Sequence, residues 1–168
     1  MAMTIEEVSG ILTREEIKHA FDKDGDIYAG WDTEKYINPK GEKSVVITFG
    51  IRNEEQIFNA CVYFAFQVKG CKHLDAFFKL CSIVQSRTFF SKFEYSVKSA
   101  SVSLRIELPL LDNKLTRNQI NACWSCLTKI LEDNYEALRK ALDTGELDLP
   151  EDIKKAISEN ESGETDSL

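Results

Sequence analysis

Residues 115–142, LTRNQINACWSCLTKILEDNYEALRKAL, constrain this chain more than any other stretch. Thr116 can accept from the backbone N–H three residues on, Gln119 can reach back to it, and Leu115 can pack on Ile120 across the cap. From that start Ile120, Trp124, Leu127, Leu131, Asn134, Leu138 and Leu142 recur at steps of three and four, one stripe along a helix. Gly145 supplies a left-handed C-cap and Pro150 forbids continuation. At 1.5 Å per residue the stripe is roughly 35 Å long, more than a small two-layer domain needs. Its distal end, Leu138 and Leu142, is therefore expected to project and to offer itself to a partner.

The remaining pattern alternates between helix and strand periods. LTREEI repeats the grammar of LTRNQI, with Thr13 as cap, Glu16 three residues on and Leu12 stapled to Ile17, so a short first helix is expected from Arg14 to Asp22. Strands follow at residues 26–34, with Ile27, Ala29 and Trp31 on one face, and at residues 44–51, with Val45, Ile47, Phe49 and Ile51. Residues 56–68 place Phe58, Ala60, Val62, Phe64, Phe66 and Val68 on one side. The other side of that strand, with Ile57, Cys61, Tyr63 and Ala65, is less polar than a solvated face. Leu74, Phe77, Phe78, Cys81 and Val84 then mark a second helix, and two strands, 89–98 and 102–108, form a hairpin through 99–101.

The expected order is α-β-β-β-α-β-β-α, a two-layer α+β domain with an antiparallel sheet and its helices on one face. Residues 1–12 read as a lead and 13–149 as the domain. Residues 150–168 read as an acidic tail with little to bury, expected to be disordered apart from one polar turn around Ile153 to Ile157.

Charge and composition narrow the function classes. The hydrophobic fraction of 43% and the charged fraction of 29% are those of a globular chain. The net charge is −7, which argues against a phosphate backbone as partner. No apolar run reaches the ~20 residues of a membrane span and no leader is apparent, so a cytoplasmic protein without membrane contact is expected. Five cysteines, an odd number, sit in apolar runs and read as small buried hydrophobes of a reducing compartment.

No motif for catalysis, cofactor binding or a metal stands out. FDKDGD at Phe21–Asp26 imitates the opening of an EF-hand loop through Asp22, Asp24 and Asp26. Its sixth position is Ile27 and its twelfth Thr33, where glycine and a bidentate glutamate belong, so a polar helix-to-strand turn is the better reading. Cys123-Trp124-Ser125-Cys126 has redox spacing, yet it lies well inside the helix, away from the N-terminal dipoles that activate a thiol. Packing explains it better. His19 and His73 each fall in an expected helix with no ligand pattern around them.

The element order, the aromatic hairpin FFSKFEYSVKSASVSLRIELPLL, the LTRNQI cap that follows it, and Asp133-Asn134-Tyr135 in the middle of the last helix together resemble the YbjN-like family. The resemblance runs from Leu12 to Leu142. It departs at Gln85-Ser86-Arg87, where relatives often carry a Trp-Asn pair. That family is similar in fold to type III secretion chaperones and is described as containing candidate sensory-transduction regulators. It brings no catalytic residues. The resemblance implies a non-enzymatic protein-binding module, chaperone-like or a regulatory adaptor, that can dimerise and hold a partner on apolar surface. The expected surface is Val46, Ile57, Cys61, Tyr63 and Ala65, with Leu138 and Leu142 as a second patch. The alternative is a small-molecule or calcium sensor using Asp22, Asp24 and Asp26 or a cleft between sheet and helices.

Overall fold

A computed structural model describes residues 3–52, 56–88, 90–111, 113–149, 151, 153–155 and 158. Its elements are α1 (Ile5–Arg14), β1 (His19–Phe21), β2 (Ile27–Asp32), β3 (Ser44–Arg52), β4 (Ile57–Gln67), α2 (Leu74–Ser86), β5 (Ser91–Ser96), β6 (Ser101–Pro109) and α3 (Arg117–Thr144). The strands form one antiparallel sheet in the order β1-β2-β3-β4-β6-β5. Side chains of all three helices share a single core with Ile27, Ala29, Val45, Ile47, Phe49, Phe58, Ala60, Val62, Leu104 and Ile106. The fold is therefore α+β in two layers, with the helices on one face of the sheet.

The long helix starts as its sequence dictates. Thr116 and Gln119 form the reciprocal box, Ile120 is fully buried, and the C-cap Gly145 is left-handed at φ 79°. A Cβ on Gly145 would also lie 2.7 Å from Nδ1 of His73. Glycine is needed there for both backbone and space.

The first helix is displaced by nine residues. Thr4-Ile5-Glu6-Glu7 is a second T-x-x-E box, and the helix begins there, with Met3 and Val8 buried at the two staple positions. Leu12 and Ile17 are indeed paired, at the end of the helix rather than its start. The Ile17 N–H donates to the Leu12 carbonyl and the Glu16 N–H to the Thr13 carbonyl, a Schellman closure that brings those positions together. Its left-handed residue is Glu16 at φ 59°, and no glycine announces it. Thr13 turns back onto the Ser9 carbonyl at 3.0 Å and caps nothing. Residues 19–21 become strand β1, so the expected order gains one strand. The domain begins by Met3, not at residue 13, because Met3, Val8, Ile11 and Leu12 belong to the core.

Leu138 and Leu142 also depart from expectation. Both are buried as members of the core cluster, against which Leu147 and Leu149 also pack. Neither is presented to a partner. Most of the acidic tail, including Ile157 and residues 159–168, lies outside the described residues.

Gly145→Ala tests this account of the helix end. It should lower stability by about 1–2 kcal/mol in urea denaturation, since alanine resists a left-handed φ and would crowd His73; an unchanged midpoint contradicts it.

Candidate functional site

The face of the sheet opposite the helices carries a cross-strand row: Ala20, Tyr28, Thr48, Cys61, Arg105 and Lys92 follow one another from β1 to β5. No described helix packs on it. Cys61 is nonetheless inaccessible, and it stands apart from the core cluster. It is covered from its own side: Arg105 lies directly opposite, with its guanidinium 5.8 Å from the ring centre of Tyr63. Burial pushes the Cys61 thiol up to about 11, with Arg105 only partly opposing it. A thiol held neutral in this way is packing, not a nucleophile.

The charges of this face are arranged in pairs. Arg105 reaches Glu94 at 3.0 Å and Glu107 at 3.2 Å, and Lys92 reaches Glu107 at 2.6 Å. Lys92 first, and then Arg105, holds the Glu107 carboxyl below its ordinary range against the cost of burial. At the neighbouring corner Arg52 lies over Gly50 and pairs with Asp26 through both carboxylate oxygens. A Cβ on Gly50 would sit 2.7 Å from Asp26 Oδ1 and would run into Arg52 itself. Asn59, flanked by Gly50 and Glu107, is buried with Oδ1 lacking a partner.

The other end of the face is aromatic, and a backbone irregularity creates it. Between Val62↔Leu104 and Phe66↔Val102, β4 spends three residues where β6 spends one. Phe64 takes φ 54°, a left-handed conformation costly for a bulky residue. Because two residues are added, the inward parity survives: Phe58, Ala60, Val62, Phe66 and Val68 are buried as expected, and Phe64 alone is thrown out to 52% exposure. Tyr63 beside it is 40% exposed and Val46, the next residue on this face of β3, is 48% exposed. Tyr28 on β2 completes the patch, and Gly30 leaves open space between.

The expected surface residues thus divide. Val46 and Tyr63 are accessible and neighbouring; Ile57 is half-buried at the far end of β4. Cys61 and Ala65 are buried, the first under Arg105 and the second because the bulge turns it inward. Phe64 and Tyr28 are the members that sequence reasoning missed. Strict alternation hid Phe64 in the core set, and no local signal marks the bulge.

What holds the bulge is a relay from α3. The Glu132 carboxylate accepts from the backbone N–H groups of Glu34 at 3.2 Å, Lys35 at 3.1 Å and Tyr36 at 3.0 Å. This seats Tyr36 in the core, where its hydroxyl donates to the Ala65 carbonyl at 2.9 Å. The Tyr36 ring meets Phe66 and Tyr135 edge-on, and Tyr135 stacks on Phe66. The C-terminal side of the bulge is thereby fixed, and at its tip the Phe64 N–H donates to Ser103 Oγ at 3.3 Å. Desolvation opposes ionisation of Glu132, but the three N–H donors together outweigh it and hold its carboxyl below the ordinary value.

The other expected sites are accounted for by their contacts. Asp22 Oδ1 accepts from the N–H groups of Asp24 and Asp26 at 2.8 and 2.9 Å, and Asp26 is taken by Arg52. The loop is a strand-to-strand turn between β1 and β2, not a helix-to-strand one. His19, in β1 rather than a helix, meets Ser9 Oγ at 2.7 Å and the Ile17 carbonyl at 2.8 Å. His73 stands at the N-cap of α2. Burial pushes Cys123 up to about 12 and raises Cys126 as well.

No family model and no curated protein matches the sequence. Among solved structures, the crystal structure of YbjN from E. coli, a candidate transcription regulator, superposes with a TM-score of 0.53 at 9% identity, covering 81% of this chain and 94% of that one. The chain has the YbjN-like fold. At that identity the fold alone carries over, and the side chains of the open face are this chain's own.

Two measurements probe the relay. Tyr36→Phe removes the donor to Ala65 and should cost about 1 kcal/mol, while quenching or exchange at residues 63–65 reports a loosened bulge. For Glu132 the folded carboxyl lies below its unfolded value, so its contribution is complete above about pH 5 and fades as pH falls through the folded value. The protection of the amides at residues 34–36, measured against their intrinsic exchange rate at each pH, should fall over that range in the native protein and be low at neutral pH in Glu132→Gln; protection unchanged by pH and by the substitution would sink the relay.

Proposed function

We propose that this chain is a non-enzymatic binding module that holds a protein partner on the open face of its sheet, as a chaperone-like or regulatory adaptor of the cytoplasm. The observation that carries this is the bulge at residues 63–65. It keeps a strained Phe64 beside Tyr63, and the two adjacent aromatic side chains stand in solvent where regular alternation would have buried one of them. Strain maintained by a relay of hydrogen bonds, in order to expose apolar surface, is the signature of a contact surface rather than of a core.

The surrounding chemistry supports the same reading. Asp26, Glu94 and Glu107 are each paired with a cation, so the face presents little uncompensated charge. Such a neutral plateau with an aromatic end suits a partner segment that lays down apolar or aromatic side chains. Paired carboxylates and neutral thiols are poorly poised for acid–base or nucleophilic work. The description of YbjN as a candidate transcription regulator favours a regulatory role over catalysis in this fold. With a net charge of −7, that role would run through proteins rather than nucleic acid.

Affinity capture from the native cytoplasm tests the proposal, with Tyr63→Glu and Phe64→Ser set against Val97→Glu, a control on the exposed β5–β6 turn. All three should keep the native circular dichroism. Partner recovery should fall about tenfold or more in the first two, as for a central aromatic contact worth ~2 kcal/mol, and stay at wild-type level in the third. Equal recovery from all four proteins would reject the open face as the binding surface.

A further inference from the structure

The helix layer does not cover its sheet evenly. α3 has 28 residues and α2 only 13, and α2 lies beside the second half of α3, where Leu80 and Val84 share a cleft with Asn134 and Ala137. β5 stops short in the same corner: it begins at Ser91, opposite Ile106, whereas β6 runs on to Pro109. The corner left over is a cavity of about 320 Å³ between β6 and the first half of α3, walled by Phe90, Ile106, Leu108, Ala122, Cys123 and Cys126.

The two cysteines are free thiols, one helical turn apart, and both line this one space. Residues three apart on a helix hold their Cβ atoms about 5–6 Å apart. A disulfide needs a Cβ separation of about 3.5–4.5 Å, so an intact helix keeps the pair as two thiols. An atom placed between the sulfurs would bridge the longer span. Among the described residues no group of three or more His, Cys, Asp or Glu side chains could hold a metal ion. Zinc and iron–sulfur chemistry, which ask for four such ligands, are therefore unsuited to this corner. Two soft sulfur donors lining one largely apolar groove match a soft ion that is satisfied by two.

We propose that Cys123 and Cys126 form a two-coordinate site for a soft monovalent cation of the Cu(I) class. Each sulfur donates one lone pair to the ion and each thiol proton leaves to solvent. No electron is transferred, so neither an oxidant nor a reductant is required. The product is a bis-thiolate complex carrying one negative charge. Gln119 is the polar side chain of the cavity: its Oε1 is held by the Thr116 N–H at 2.8 Å, which leaves its Nε2 amide as a donor toward that charge. The lining holds no carboxylate, the ligand that a harder cation would require. Half-buried Cys126 gives the ion its way in.

The remaining cysteines provide the controls. Cys61 and Cys81 are buried singly, and Cys71 is half-buried away from the cavity. The full chain is titrated anaerobically with Cu(I) in competition with a chromophoric Cu(I) chelator, and stoichiometry is read by native mass spectrometry. The expected result is one ion per chain, kept in Cys71→Ser and lost in both Cys123→Ser and Cys126→Ser. Cys126→Ser changes one atom at a half-buried position and should retain the wild-type circular dichroism. Failure of the folded wild type to take Cu(I) from the chelator, or equal uptake by wild type and Cys126→Ser, overturns the site.

Discussion

One long helix lying across the inner face of an antiparallel sheet is the constraint on which the rest of this structure depends. Trp124 stacks on Trp31 of β2 with ring centres 5.1 Å apart and planes 11° from parallel, which sets the height of α3 above the sheet. Two turns and more beyond it, Glu132 gathers three backbone N–H groups of the β2–β3 connection, and Tyr135 stacks on Phe66 of β4. Asn121 and Arg117 near its start hold Glu15 at the end of α1. Four segments are thus positioned from one rigid element. The consequence reaches the opposite surface, because the seated Tyr36 fixes the bulge that turns Phe64 outward.

The two faces of the sheet are built on different physics. Inside, apolar side chains exclude water and the aromatic set Tyr36, Phe66, Tyr135, Phe77 and Phe78 interlocks edge to face. Outside, Arg105 and Arg52 spread over their strands and cancel the carboxylates beside them. Cys61 and Asn59 lie beneath that layer, inaccessible although no described helix covers them. The edge of the sheet is guarded as well. Gln85 of α2 accepts the Phe93 N–H of β5 at 3.0 Å, and Lys92 and Glu94 add charge along the same strand. With that edge guarded, the aromatic end of the open face is the more available surface for another chain.

Similarity to YbjN at 9% identity means that pattern, not particular residues, carries this fold. The pattern was legible where local chemistry and burial agree. Both sides of the Thr116–Gln119 box, the Gly145 cap, the inward alternation of β2 and β3, and the apolar spacing of α2 all read directly from residue order. The reading went astray where two local solutions compete. Thr4-x-x-Glu7 and Thr13-x-x-Glu16 are equivalent boxes, and Leu12 with Ile17 fits a helix start and a helix end alike. Burial of Met3 and Val8 against the sheet decided between them, and that is a tertiary fact.

The sequence by itself determined the class of the domain, the place and ends of its long helix, and the face on which most strand residues lie. Those properties follow from interactions within a few residues: caps, turns and the periods of 3.6 and 2. Only the tertiary structure decided that Leu138 and Leu142 are core, that Ala65 turns in and Phe64 out, and that Cys61 lies beneath Arg105. The last two depend on groups far apart in the chain, as Tyr36 is from Ala65 and Glu132 from Glu34. A carboxylate on an apparently solvated helix face carries no local mark of the loop it will hold. The contact exists only once the sheet has brought that loop beneath it.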